Sequence, residues 1–295
     1  MRVRNNAAAI ECLHRNGYYR MSAYWYQFQE IDNDVRTNNF MEDSWFEDAR
    51  KLYVFDKKFK LFLMDAIERI EIAARVEIAR CLGVRDSFAH TKAEYFNIGF
   101  LEEKTQKNGE FVSNHQAWLG KLNDAIEGSN DVFVKNYKEE YGINSVMPIW
   151  MAIELWDFGM LSRFYSGMLA EDRICVSGRF QIPRADVMKQ WLISLNYIRN
   201  VIAHHGRLWN AYISISTKVE RKGTMPEFDS IFALPNAHRR VYAVCCVLSH
   251  FTKVVNPKSH WNRDLVRLIQ KFPQMPHANI SHMGFPEDWR THSFW

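Results

Sequence analysis

Cysteine is scarce and shows no pairing pattern: the five residues, at positions 12, 81, 175, 245 and 246, contain no C-x-x-C. Neither a disulfide framework nor a zinc ribbon fits that spacing. Cys245 and Cys246 lie in the apolar run 241–251 and read as small core residues. A run of about 18 apolar residues is missing, which excludes a spanning helix of ordinary length. The N-terminus carries no secretory apolar region, so a reduced cytoplasm is the default location. Internal repeats and low-complexity linkers are missing too. So is a strong charge of one sign: the formal net charge is +4 and the pI about 8.7. That diffuse excess permits a polyanionic partner without requiring one.

What the chain does have is apolar and aromatic substance. It is 47% hydrophobic, with 10 Trp, 12 Tyr and 20 Phe, which excludes a disordered chain and supplies a sizeable core. The 295 residues fit one large domain or two, and length does not decide. Helical spacing is clearest over residues 56–82, where Phe59, Phe62, Leu63, Ala66, Ile67, Ile70 and Ala74 share a face; Asp56 is its expected N-cap and Gly83 its stop. Glu68, Glu71 and Arg75 stand three and four apart beside that stripe. They suit a solvated charged face, or acids that orient a functional arginine. Asn5-Asn6 reads as a helix start. The aromatic segment Gly17–Phe28 either packs its rings into the core, the plainer alternative, or offers a base-stacking surface. Residues 32–44 read as a polar loop and 84–114 as irregular, with 104–109 turn-like. Helices are expected over 115–127, 133–141, 149–169 (opened by Pro148), 239–255 and 261–272. A short hairpin or ordered loop is expected within 211–232, around Lys218–Gly223. The whole reads as one all-α domain over 1–295, a helical bundle with extra helices at both ends and room for that one hairpin. Its core spans about 50–255, and 256–295 forms a C-terminal tail packed on the surface.

The centre of the chain is Leu195–Asn210. Apolar residues recur at Met188, Trp191, Leu195, Ile198 and Ile202, while Asn196, Arg199, Asn200, Ala203 and His204 fall on the opposite side at about 100° per residue. His205 falls nearer the apolar side unless the helix has ended, and Gly206 is the expected left-handed stop. Polar groups beside a buried face cost stability unless they are paired or used. Arg199 and His204 form an R-x4-H pair. Arginine presents a fixed fork of donors matching phosphate oxygens. Histidine both takes and gives a proton near neutrality. Together they suit cleavage of RNA through its own 2′-hydroxyl, a route that requires no metal and no cofactor. The same residues equally suit a satisfied polar network that locks the helix to its neighbours.

Arg199-Asn-x3-His204 resembles the R-x4-6-H motif of the HEPN superfamily, many of whose members are metal-independent ribonucleases. More specifically, the chain resembles the Abi-like (AbiD/AbiF) abortive-infection proteins. The resemblance runs through Gly17-Tyr-Tyr-Arg-Met-Ser-Ala-Tyr-Trp25, Leu52-Tyr-Val-Phe-Asp56, Asp65-Ala-Ile-Glu-Arg-Ile-Glu71, Pro148–Ser162, Leu195–Asn210 and Met283-Gly-Phe-Pro-Glu-Asp-Trp289. Before Gly17 it departs, since relatives usually carry an additional helix there. The resemblance implies an all-helical HEPN-like fold and phage defence by RNA cleavage, or a toxin–antitoxin-like system. Arg199 and His204 carry over as catalytic candidates. Asn200, His205, Arg207 and Asn210 join them as substrate-binding candidates, with Arg207 the better phosphate binder and His205 as easily structural. The implied partner is RNA, as substrate or as a cognate small RNA. A homodimer is also implied, with two motifs facing one cleft and no membrane involved.

Overall fold

A computed structural model describes residues 1–105, 111–217, 222–233 and 236–295. In chain order the elements are α1 (Asn6–Asn16), α2 (Tyr18–Trp25), β1 (Gln29–Asp32), β2 (Val35–Phe40), α3 (Phe46–Gly83), α4 (Ile98–Leu101), β3 (Glu103–Thr105), β4 (Phe111–Ser113), α5 (Asn114–Gly128), α6 (Val132–Tyr141) and α7 (Ile149–Ala152). There follow α8 (Phe158–Gly167), α9 (Ala170–Arg179), α10 (Ala185–Ala203), α11 (Pro226–Phe232), α12 (Val241–Val255) and α13 (Trp261–Gln270). The mostly-α expectation holds: helix dominates, and the strands make only two short two-stranded sheets among the described residues. No helix among those residues is long and apolar enough to cross a membrane.

The chain divides into two compact units. One comprises Met1–Ile67, Tyr197–Thr217 and Glu227–Trp295; the other comprises Glu68–Asn196 and Lys218–Pro226. In the first unit α12 is buried on every side, from Val241 through Phe251 apart from His250, as an apolar helix without a polar face must be. Cys245 and Cys246 are part of it and fully buried. The C-terminal tail packs along this helix rather than merely over the surface. Ser249 Oγ donates to the Phe294 carbonyl at 2.8 Å, and Tyr242 Oη meets His292 Nδ1 at 2.6 Å. Gly284 lets the tail pass, because its φ is +88° and a Cβ there would lie 2.4 Å from that of Arg240.

Several sequence expectations need correction. The long helix begins at Phe46, ten residues before Asp56, so Asp56 is an interior residue and not an N-cap. Its buried stripe runs Ala49, Leu52, Phe55, Phe59, Leu63, Ala66, Ile70, Ala74, Ile78 and Leu82. The stretch 149–169 is not one helix: α7 gives way to a 3-10 turn at Ile153–Leu155, and Asp157 caps α8 by accepting from the Met160 N–H at 2.7 Å. Arg75 is largely buried in an ion pair with Glu71 at 2.6 Å and donates to the carbonyls of Trp156 and Glu154, which is no solvated face. Described hairpins occur at β1–β2 and β3–β4, in segments expected to be loop or irregular. The first turns at Asn33-Asp34, both with positive φ, the geometry a tight primed turn demands. Of the hairpin expected around Lys218–Gly223, residues 218–221 lie outside the described residues; farther on, 226–232 is helix α11. Helix α9 has no counterpart among the sequence expectations.

In the second unit a buried aromatic cluster, Trp118, Trp156 and Phe164, holds α5 to α8, and Trp118 Nε1 donates to the Met160 carbonyl at 3.1 Å. Beside it His90 is 1% exposed, and its carbonyl meets His115 Nε2 at 3.0 Å. Burial, followed by the neighbouring His115, pushes the His90 imidazole down from 6.5 to about 4. Between those values the unfolded chain binds the proton and the folded chain does not, so stability falls as pH drops through that window. The His90 share of that loss should reach about 3 kcal/mol at 1.36 kcal/mol per pKa unit. Urea unfolding of wild type and His90→Asn at pH 7 and pH 4 reads it as a change in their stability difference; a difference independent of pH would contradict it.

Candidate functional site

The end of α10 sorts its side chains as its spacing requires. Leu195 and Ile198 are fully buried and Ile202 nearly so. Arg199 and Asn200 are half-buried, while Ala203, His204 and His205 are exposed. The His204 N–H donates to the Asn200 carbonyl at 2.9 Å as the last helical bond. The chain then closes with paired bonds, His205 N–H to Ile202 O at 3.0 Å and Gly206 N–H to Val201 O at 2.8 Å. This is the Schellman arrangement, and its left-handed residue is His205, at φ +59°, not the expected Gly206. Gly206 serves by close approach instead: a Cβ there would lie 3.1 Å from the Val201 carbonyl oxygen. Histidine is among the few non-glycine residues enriched in that conformation.

The loop after the helix is held by a single buried carboxylate. Asp56, 0% exposed, accepts from the Trp209 N–H at 2.7 Å, from the Leu208 N–H at 3.2 Å and from Tyr24 Oη at 2.7 Å. Lys60, one turn along α3, stands 3.5 Å from the same carboxylate and donates to the Gly206 carbonyl at 2.8 Å. Burial pushes the Asp56 carboxyl above the ordinary range, opposed by the Tyr24 hydroxyl, Lys60 and the two amides. Every neighbour donates, so the ionised form is the one the site fits. Leu208 and Trp209 are fully buried, with the Trp209 ring 6.0 Å from that of Phe272.

The N-terminal segment completes the clamp. Arg20 Nη1 donates to the His205 carbonyl at 3.1 Å, Arg207 donates to the Ala23 carbonyl, and Asn210 Nδ2 donates to Gln27 Oε1 at 3.2 Å. Burial pushes the Arg207 guanidinium below its usual range. Arg207 and Asn210 are therefore engaged in holding the loop. Arg199 is engaged far less: Nη1 donates to Asn200 Oδ1 at 3.2 Å, and Nε is buried without a partner. Arg199 and His204 stand about 140° apart around the helix at 100° per residue, with Asn200 and the small Ala203 between them.

Sequence reasoning did not single out Arg20, Tyr24, Gln27 or Lys60, and misassigned Asp56. All but Lys60 lie in or beside the segments Gly17–Trp25 and Leu52–Asp56. An aspartate inside a long apolar helix, where it lowers helix propensity, was the signal available. The aromatic segment divides between its two readings: Met21, Tyr24, Trp25 and Phe28 are buried, whereas Tyr18, Tyr19 and Tyr26 are exposed.

Compared with known families, residues 11–210 match the family model described as Abi-like protein. No curated protein and no solved structure matches the chain significantly.

The clamp makes two stability predictions. Asp56→Ala strands Lys60 and two amides in the interior and should cost about 3–5 kcal/mol in urea unfolding; a loss below about 1 kcal/mol would contradict the anchoring. His205→Gly relieves a left-handed side chain and should stabilise by about 1 kcal/mol, whereas a destabilised variant would mean the imidazole makes a contact that matters for folding.

Proposed function

The chain belongs to the family of Abi-like proteins, which suggests abortive-infection phage defence, and on that premise we propose that it is a metal-independent endoribonuclease of HEPN type. The observation that carries this reading is the contrast between Arg199 and the arginines that hold the fold. The terminal nitrogens of Arg75 and Arg207 are engaged by carboxylate or carbonyl oxygens, while those of Arg199 make one 3.2 Å bond to an amide oxygen; the Nε of Arg199, like that of Arg75, is buried without a partner. A buried donor left unsatisfied costs about 1–3 kcal/mol, which an anion at the guanidinium would offset. Beside it His204 is exposed, and its imidazole has no hydrogen-bond partner among the described residues.

In this mechanism Arg199 grips the scissile phosphate, and Asn200 orients the guanidinium. His204 takes the proton from the 2′-hydroxyl as its oxygen bonds to phosphorus. The bond from phosphorus to the 5′-oxygen then breaks, and that oxygen receives a proton from a second group. Charge accumulating on the phosphate is stabilised by the guanidinium. The separation of Arg199 and His204 around the helix leaves the second proton-transfer group to a facing copy of the motif, so the active form is a homodimer. His205, Arg207 and Asn210 shape the substrate side of the loop. The same angular separation favours a second reading, in which Arg199 and His204 only grip an RNA, such as a cognate small RNA in a toxin–antitoxin-like system.

Purified protein should cleave RNA in the presence of EDTA and leave 2′,3′-cyclic phosphate ends. Arg199→Ala and His204→Ala should each lower the rate by about 100-fold or more while still folding. RNA bound with strong salt dependence but left intact would support the second reading, and full activity in either variant would remove the assignment.

A further inference from the structure

Next to the clamped loop, an open groove of about 620 Å³ is lined by Tyr18, Tyr19, Ser22, Trp25, Tyr26 and Arg207, among others. Its composition is unusual for surface. Tyr18 is 61% exposed, Tyr19 89% and Tyr26 49%, whereas Tyr24, Trp25 and Phe28 of the same segment are buried. Scattered exposed rings need no explanation, but three tyrosines gathered in one groove do. Their rings are also held. Tyr18 packs in T-shaped contact with Trp25 at 5.2 Å and with Tyr19 at 5.6 Å, while Tyr19 keeps most of its surface exposed. Tyr26 carries the Arg36 guanidinium over one face at 4.6 Å, and Arg36 is itself fixed by the Tyr26 carbonyl at 3.0 Å.

The groove is also cationic. Arg207, which donates to the Ala23 carbonyl, is among the residues that line the groove. None of the lining residues is acidic. Through Gln29 the groove adjoins a second one of about 640 Å³, lined by Arg36, His277 and His282. Through Arg20, whose guanidinium holds the His205 carbonyl, the wall of the groove is tied to the end of α10 that bears His204.

We infer that this groove is a single-strand entry track, in which unpaired RNA bases stack on Tyr19 and Tyr26 while Arg207 and Arg36 meet the backbone, so that the chain selects single-stranded over duplex RNA. The inference rests on RNA being the substrate. Stacking needs a free base face, which only an unpaired strand offers to a side chain, and it tolerates any sequence because every base has such a face. Cationic side chains beside the rings match the polyanionic backbone and make binding salt-dependent. A lining with an arginine and no acidic side chain favours a polyanionic strand over an uncharged peptide.

The test uses the full chain and a labelled decauridylate carrying 2′-O-methyl groups, which removes the nucleophile and separates binding from cleavage. Tyr19→Ala and Tyr26→Ala should each weaken binding about tenfold or more, while Tyr19→Phe and Tyr26→Phe stay within about twofold of wild type. A duplex with 2′-O-methyl oligoadenylate should bind more weakly than the single strand. Alanine variants that bind as wild type does, a duplex that binds as tightly, or no binding by wild type would overturn the track. Loss of binding in the alanine variants with no cleavage of unmodified RNA by wild type would leave the track standing and remove the nuclease. Cleavage by wild type with binding indifferent to the tyrosines would do the reverse.

Discussion

A buried carboxylate on a helix interior is costly unless its neighbours neutralise it, and Asp56 is neutralised by the chain that continues beyond α10. Two consecutive backbone amides, a tyrosine hydroxyl and an ammonium converge on its two oxygens. None of these partners is close to Asp56 in sequence except Lys60. The interaction therefore acts as a register mark: it fixes where the loop lies on α3, and through the loop it fixes where α10 must end. Removing the carboxylate would leave donors with no acceptor in a place water does not reach, which is why the arrangement is all or nothing.

From this mark the candidate site is built outward. Leu208 and Trp209 are drawn into the core by the same bonds that satisfy Asp56. Gly206 and His205 then have to turn tightly between the helix and the buried tryptophan, and the Schellman bonds close that turn. His204 is left at the rim, exposed, on a backbone held from both sides. Tyr24, Arg20 and the Ala23 carbonyl bind the N-terminal helices to the same loop. Segments scattered from residue 17 to residue 210 meet here within the first compact unit, and the match to the Abi-like family extends over that same range.

The sequence disclosed the helices wherever an apolar stripe was long, as in α3, α10 and α12. It disclosed the R-x4-H pair and the polar flank of α10 as well. It misled where a residue's local meaning differs from its tertiary one. Asp56 before an apolar run looks like a cap, and only its distant partners explain why a helix tolerates it in its interior. Gly206 looks like the left-handed stop, but the need there is for closeness to Val201, while His205 takes the positive φ. The hairpin at β1–β2 went unseen because its strands are mostly exposed and show no alternation; Asn33-Asp34 was the one local clue. Helix α9 buries Asp172, Val176 and Ser177 and so has no apolar stripe to read, and α11 spans only seven residues. Arg20, Tyr24 and Gln27 act through backbone carbonyls, a carboxylate and an amide far away in sequence, and no spacing rule reaches that far.

The central claim is that a carboxylate in α3 holds a loop that has no regular structure of its own. Hydrogen exchange at the Trp209 backbone amide, measured by NMR, reads that hold directly. Bound to Asp56 at 2.7 Å in a fully buried residue, this amide should exchange only through global unfolding, with protection equal to that of the slowest helical amides. Exchange at the rate of an open loop would contradict the account.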